Sequence, residues 1–370
     1  MGCVVGIFTT RRSKIQPFGL DTKLVARMCR LGARQGILVY GFTARDINWP
    51  RGTVRGYVFD DGGRWTRRVM PFPDVVYDRL PSRSAERRRA VRRVKQRLLA
   101  MLGDRYFNRE FFNKWVIHNK LAADPDYGRY LPPTARFRGV GQLRQWVYKY
   151  GTVWLKPSDG TQGRGIVVVR RARNGGYVAQ RRVDERWILT TTSSLNRVAR
   201  MVRRMRGGRS YIIQKGLALA RYGNRPFDVR LLVQKNAQGE WECTKMVARV
   251  AAPGSVTSNI STGGLGGSFQ RVAAGSRGVV RARREELEKA MKELGLGMAA
   301  RIEESLGYRL GELALDLGID RNGRIWLIEA NSKPFRVVQA RKSLQPQVRR
   351  TLVRPLEYAA HLSRQERGSS

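Results

Sequence analysis

Histidine and cysteine are nearly absent from this chain of 370 residues, which has two of the first and three of the second. Cys3, Cys29 and Cys243 lie far apart and share no pairing or ligand motif. That argues against a disulfide framework and against a zinc site. His118 and His361 alone leave no histidine-rich metal centre, and they argue against Ser-His-Asp chemistry. Long apolar runs are missing too: none approaches the roughly 20 residues of a membrane span. The start, Met1 to Phe8, lacks the long apolar core and small-residue cleavage site of a signal peptide and reads as a first β-strand. A cytoplasmic protein is therefore expected. Acidic residues are also few, 29 Asp and Glu against 72 Lys and Arg, for a net charge of +43. Any chemistry must rest on carboxylates, cations, backbone amides and bound metal.

Hydrophobic residues make up 42% of the chain, an ordinary globular share, and the length exceeds what one core holds, so two or three lobes are expected. The positive charge attracts polyanions without selecting one. It is densest from Arg83 to Arg97, with eight cations against the single acid Glu86. Val91, Val94, Leu98 and Leu102 form an apolar stripe through it, the mark of one amphipathic helix. Its basic face is either plain solvated surface or a contact for a polyanion such as nucleic acid or an acidic polymer.

Residues 1–108 read as a small α/β lobe. A strand over Cys3–Thr9, helical spacing of Leu20, Leu24, Met28 and Leu31, and a second apolar run at Ile37–Tyr40 suggest a βαβ unit with parallel strands. Residues 109–213 form a second lobe, with strands Val153–Lys156 and Ile166–Arg170 around a glycine-rich loop. Residues 214–370 form a third, with several strands, a charged helix near Arg283–Leu294 and a basic tail.

Two stretches carry chemistry. The loop from Lys156 through Ser158, Gly160, Gly163, Arg164 and Gly165 is neither a Walker A loop nor a dinucleotide fingerprint, because Ile166 and a strand follow it. Its glycines let backbone N–H groups approach phosphate, while Lys156 and Arg164 add charge; a plain flexible hairpin is the alternative. The second stretch runs from Glu312 to Pro334. Asn322-Gly323 marks a hairpin turn, which sets Asp316 opposite Glu329, or diagonal to it if the loop has four residues. In either register Asp316, Glu329 and Asn331 share one face, because the side-chain period of a strand is two. Oxygen ligands of this kind suit Mg²⁺ or Mn²⁺. Between these stretches lie Gln214-Lys215-Gly216-Leu217, Asp228-Val229-Arg230, Arg249, and a Ser/Gly run containing Asn259.

In this order, over about residues 110–335, the set resembles the ATP-grasp superfamily. Pro73–Arg79, Phe111–Trp115, Leu131–Thr134, Leu155–Pro157, Gly163–Ile166, Phe227–Arg230 and Ser258–Gly264 resemble more narrowly the YheC/YheD family of endospore coat-associated proteins. The resemblance implies an α/β (α+β) ATP-grasp fold, with a Rossmann-like N-terminal lobe before two lobes that sandwich the nucleotide. It implies that Lys114, Lys156, Ser158, Gly160, Gly163, Arg164 and Gly165 attend the ATP phosphates. Gln214, Lys215 and Leu217 would hold adenine, Asp228 stands in for a ribose-binding acid, and Asn259 joins the nucleotide site. Arg249, Lys156 and Arg230 would act on the transferred phosphoryl or the substrate carboxylate. Asp316, Glu329 and Asn331 would hold Mg²⁺. The implied reaction joins a carboxylate to an amine at the expense of ATP, in a spore-associated setting. A nucleotide-binding scaffold without chemistry and a polyanion-binding protein are the alternatives, and an anionic polymer as substrate would reconcile charge with ligation.

Overall fold

The computed structural model describes residues 2–13, 15–60, 62–160, 163–173, 175–183, 186–255, 263–335 and 345–367. The first lobe contains, in chain order, β1 (Val4–Phe8), α1 (Thr22–Ala33), β2 (Leu38–Phe42), β3 (Ile47–Asn48), β4 (Thr53–Phe59), β5 (Trp65–Pro71), β6 (Val75–Asp78), α2 (Arg83–Arg87), α3 (Arg89–Leu102) and β7 (Tyr106–Phe107). The strands lie in the order β3-β4-β2-β1-β6-β7, with β5 on β4. β1 pairs in parallel with both β2 and β6, so the expected βαβ unit is present. The basic stretch is two helices rather than one. Ser82 caps α2, and Arg88 is extended at ψ 128°, breaking the helix before α3 begins. Several of its cations are engaged internally. Lys95 pairs with Asp78 at 3.2 Å, Arg87 with Asp159 at 2.8 Å, and Arg97 lies 4.0 Å over the Trp49 ring.

Next in the chain is α4 (Lys114–Ala122), whose Ile117 and Leu121 pack into the core of the third lobe; the second lobe contains β8 (Thr134–Arg136), α5 (Val140–Tyr150), β9 (Thr152–Pro157), β10 (Val167–Arg171), β11 (Tyr177–Val183), β12 (Arg186–Thr192), α6 (Leu195–Arg206) and β13 (Tyr211–Lys215). Its antiparallel sheet runs β12-β11-β10-β9-β13-β8. Val153, Leu155, Val167, Val169 and Ile213 pack against Leu143 and Val147 of α5 and Val198 and Val202 of α6. Because strand side chains alternate, Lys156 and Gln214 project from the opposite face.

The third lobe contains β14 (Arg221–Tyr222), β15 (Arg225–Lys235), β16 (Trp241–Val250), β17 (Leu265–Gly267), α7 (Phe269–Ala274), α8 (Val279–Ala282), α9 (Arg284–Leu306), β18 (Glu312–Ile319), β19 (Ile325–Asn331) and α10 (Gln345–Arg367). The sheet order is β17-β16-β15-β18-β19. Val229, Leu231, Leu315 and Leu317 bury one face against Met291, Met298 and Ile302 of α9. The charged helix thus extends well past Leu294.

The basic tail is α10, and its apolar face belongs to the first lobe. Leu352, Leu356, Ala359 and Leu362 join Val25, Met28 and Val75 in one core. Leu356 is fully buried. Leu356→Ala should therefore cost about 2–5 kcal/mol of stability, read as a lower denaturation midpoint in urea. Among the described residues no helix is long and apolar enough to cross a membrane.

Candidate active site

The hairpin that carries the carboxylates closes differently from either expected loop, yet it delivers the direct pairing. Asp320 and Arg324 face each other across three residues: the Asp320 amide donates to the Arg324 carbonyl at 3.0 Å, and the Gly323 amide to the Asp320 carbonyl at 3.0 Å. Gly323 takes φ +80°, a conformation that glycine adopts without penalty. Ile319 then pairs with Ile325, one residue out of the two-residue-turn register. A bulge between Asp316 and Leu317 absorbs the offset, so Asp316 lies directly opposite Glu329, and Ala314 opposite Asn331.

Antiparallel pairing extends this into a charged row across one face of the third sheet. Asp316 is opposite Arg230 of β15, and Asp228, two residues before Arg230, is opposite Arg249 of β16. The Asp316 carboxylate accepts two bonds from Arg230, at 2.7 and 2.8 Å, and contacts Arg249 at 3.0 Å. Asp228 accepts two bonds from Arg249, both 2.6 Å. Burial opposes charge on Asp316, but the two guanidiniums outweigh it and hold its pKa down to about 2. The same carboxylates hold Arg249 above its ordinary range against burial. Asp228 thus clasps Arg249 rather than standing open for a ribose.

The second lobe and α4 bring the lysines. Asn113 caps α4 by accepting from the amides of Trp115 and Val116, which fixes Lys114 at the first helical position. The Lys114 ammonium donates to the Gly160 carbonyl at 2.7 Å and to Glu329 at 2.9 Å, linking the glycine-rich loop to β19. Lys156, 9% exposed, donates to the side-chain carbonyl of Gln214 at 2.6 Å. Burial lowers its pKa to about 8, with Glu329 and Asp316 acting against burial from a distance. This is an ammonium held in the cleft by a neutral partner, short of anionic charge. The Gln214 amide nitrogen donates to Thr134 at 3.0 Å.

The loop between the lysines is shaped by glycine. Gly163 and Gly165 adopt φ of +72° and +76°, and a Cβ on Gly165 would lie 2.9 Å from Pro157 and from the Tyr211 hydroxyl. The Tyr211 hydroxyl donates to the Gly165 carbonyl at 2.9 Å. Ser158 is buried, and its carbonyl accepts from the Lys114 amide at 2.8 Å. Arg164 is exposed, and Leu217 is half-buried beyond β13. The Lys215 ammonium sits 5.8 Å over the Trp326 ring. Asn259 and the run around it lie outside the described residues.

Arg83, read from sequence as part of a helix surface, belongs to this cleft as well. Its guanidinium donates to the Phe112 carbonyl and lies 5.2 Å over the Phe111 ring. Burial lowers its pKa, while Asp159, Glu86 and Glu329 pull the other way. Its Nη1 and Asp159 Oδ1 are buried without a hydrogen-bond partner among the described residues. Ser82, a helix cap just before Arg83, was a visible sign that this arginine starts a helix, but nothing in the sequence aims it at the cleft.

Asp316, Glu329 and Asn331 present an oxygen-only donor set, which fits a hard divalent cation. The carboxylates are now turned to Arg230, Arg249 and Lys114, so each already attracts positive charge. With Lys156, four cations face Asp228, Asp316 and Glu329, a surplus suited to a polyphosphate.

The chain is 29% identical over 365 residues to the endospore coat-associated protein YheD of Bacillus subtilis (strain 168), covering 98% of this chain and 79% of that protein. Its fold matches D-cycloserine synthetase DcsG with a TM-score of 0.57 at 14% identity, covering 96% of this chain and 99% of that one. It also matches the VanG D-Ala:D-Ser ligase of Enterococcus faecalis with a TM-score of 0.55 at 12% identity, covering 98% and 100%. A family model for YheC/D like ATP-grasp proteins matches residues 103–362, so the chain belongs to that ATP-grasp family.

Proposed function

We propose that this protein is an ATP- and Mg²⁺-dependent ligase that activates a carboxylate for attack by an amine. The observation that carries the reading is the meeting of Lys114, Lys156, Arg230 and Arg249 with Asp316 and Glu329 in one cleft beside a glycine-rich loop. Lys114, Lys156 and the loop amides would bind the ATP phosphates, with Arg164 swinging in from solvent. Backbone groups from Gln214 to Leu217 would hold adenine. Asp316, Glu329 and Asn331 would hold Mg²⁺, which would neutralise charge on the phosphates. Binding ATP then requires the Asp316 and Glu329 carboxylates to exchange their present cations.

The chemistry asks for positioning and charge rather than a protein nucleophile. A carboxylate oxygen of the substrate bonds to the γ-phosphorus as ADP leaves. An amine then attacks the acyl carbon, releasing phosphate and losing a proton. Arg249, locked in place by Asp228, and Arg230 would stabilise charge on the transferred group and the substrate carboxylate. Asn259 joins the proposed nucleotide site on the strength of the family resemblance. The name of the B. subtilis relative motivates a spore-associated setting, in the cytoplasm of the sporulating cell.

Calorimetric titration of ATP with and without Mg²⁺, followed by ADP release on mixed carboxylate and amine pools, tests this. Mg²⁺-dependent binding that disappears in Glu329→Gln/Asn331→Ala is expected. Absence of nucleotide binding by the unaltered protein defeats the proposal. Tight binding with no ADP release from any pool supports a nucleotide-binding scaffold instead.

A further inference from the structure

A groove of about 530 Å³ lies between α6 and strands β11 and β12, away from the cleft. Arg181, Arg197, Arg200 and Arg204 line it, together with Val198, Met201 and Met205. Arg181 shares its face of the sheet with Val167 and Leu155, which pack under α6, so the groove opens on the side opposite Lys156 and Gln214. On α6 the arginines recur at positions 197, 200 and 204, and the apolar residues one position on, at 198, 201 and 205. Helical geometry turns this into two adjacent stripes, one cationic and one apolar, along the same wall.

Among the described residues no acid lines the groove, and α6 contains none. The Nε of Arg181 is buried without a hydrogen-bond partner among the described residues. Arg197, Arg200 and Arg204 are exposed, while Met201 and Met205 are half-buried. Among the described residues the lining holds no aromatic ring on which a base could stack, the usual anchor of a single strand of nucleic acid. It offers methionine, which moulds itself to apolar side chains. β12 also ends its sheet, so one edge of its backbone pairs with no described strand and is open to an added one.

We infer that this groove is a docking site for an acidic, partly apolar polypeptide segment lying extended along β12 and α6. Carboxylates of the segment would meet the arginine stripe, and alternate apolar side chains would settle on the half-buried Met201 and Met205. The inference does not depend on the ligase reading, because nothing in the groove belongs to the cleft.

The probe is a fluorescein-labelled peptide of about ten alternating Glu and Leu residues, enough to span the seven residues of β12. Anisotropy is read on the full chain at about 0.15 M salt, where diffuse attraction is screened. The test variant is Arg197→Gln/Arg200→Gln/Arg204→Gln. The control is Arg89→Gln/Arg92→Gln/Arg93→Gln, which removes the same charge from exposed positions of α3. We expect the α6 triple to weaken binding about tenfold or more and the α3 triple less than about twofold, since only the first removes ion pairs at the contact. Circular dichroism and the urea unfolding midpoint report whether each variant is folded. Should the α6 triple fold poorly, Arg200→Glu alone is expected to weaken binding about fivefold. Equal losses in both triples, or no binding by the unaltered protein, overturn the inference. So does a ten-nucleotide oligo-dT that binds as tightly as the peptide and loses as much in the α6 variant, which would make the groove a nucleic-acid site.

Discussion

Asp316→Asn is expected to lower folding stability by about 3 kcal/mol and to abolish ATP turnover. The carboxylate is 5% exposed and balances two guanidiniums, one of which, Arg249, is 3% exposed. An amide keeps the shape but carries no charge, so Arg230 is left unpaired and Arg249 retains only Asp228. Because Asp228 remains, the cost falls at the low end of what breaking a buried pair causes. The loss should itself depend on pH. The Asp316 carboxyl is depressed in the folded chain, from its ordinary 3.8 to about 2. Its stabilisation is therefore complete above the unfolded value and lost as pH falls through the folded one. Urea unfolding of both proteins should show a gap that is constant near neutrality and narrows below about pH 4. A variant as stable as the parent at pH 7 would show that the carboxylate does not hold the arginines.

Lys156→Met should weaken ATP binding about 100-fold or more while leaving the fold intact, because the side chain is buried and, among the described residues, donates only to a neutral amide. Methionine matches its length and removes the cost of burying charge, so unchanged or raised stability is expected. The contrast with Asp316→Asn is the point of the pair: one charge supports the fold, and the other strains it. The unaltered protein should also lose ATP affinity as pH rises through about 8, since the ammonium gives up its proton there and no longer attracts phosphate. Titration calorimetry at pH 7 and pH 9 measures this. An affinity that does not change, with Lys156→Met binding as the parent does, would place the phosphates elsewhere.

Much of this site was legible because strands impose alternation. Asp316, Glu329 and Asn331 had to share a face, and Asn322-Gly323 fixed the hairpin to within one residue. The bulge that settled the register left no sequence signal, since Ile328 looks like any strand residue. The clasp of Asp316 by Arg230 and Arg249 was hidden for a different reason. Pairing between β15 and β18 joins Arg230 to Asp316, 86 positions away, and local pattern says nothing about such partners. Arg83 shows the same limit: helical spacing places it on a helix surface but not against another lobe. Likewise, the C-terminal segment reads only as a basic tail, because a helix's own residues do not name the sheet it will cover.

That docking of α10 has a consequence for how the molecule is made. The thiol of Cys3 reaches the carbonyl of Ala359, and the core around Val25 and Val75 is closed by Leu352 and Leu356. A ribosome delivers the first strands long before their covering helix, so the lobe begun earliest is completed last. Through most of synthesis its apolar surface stays open to solvent, a period that favours chaperone capture and penalises premature release.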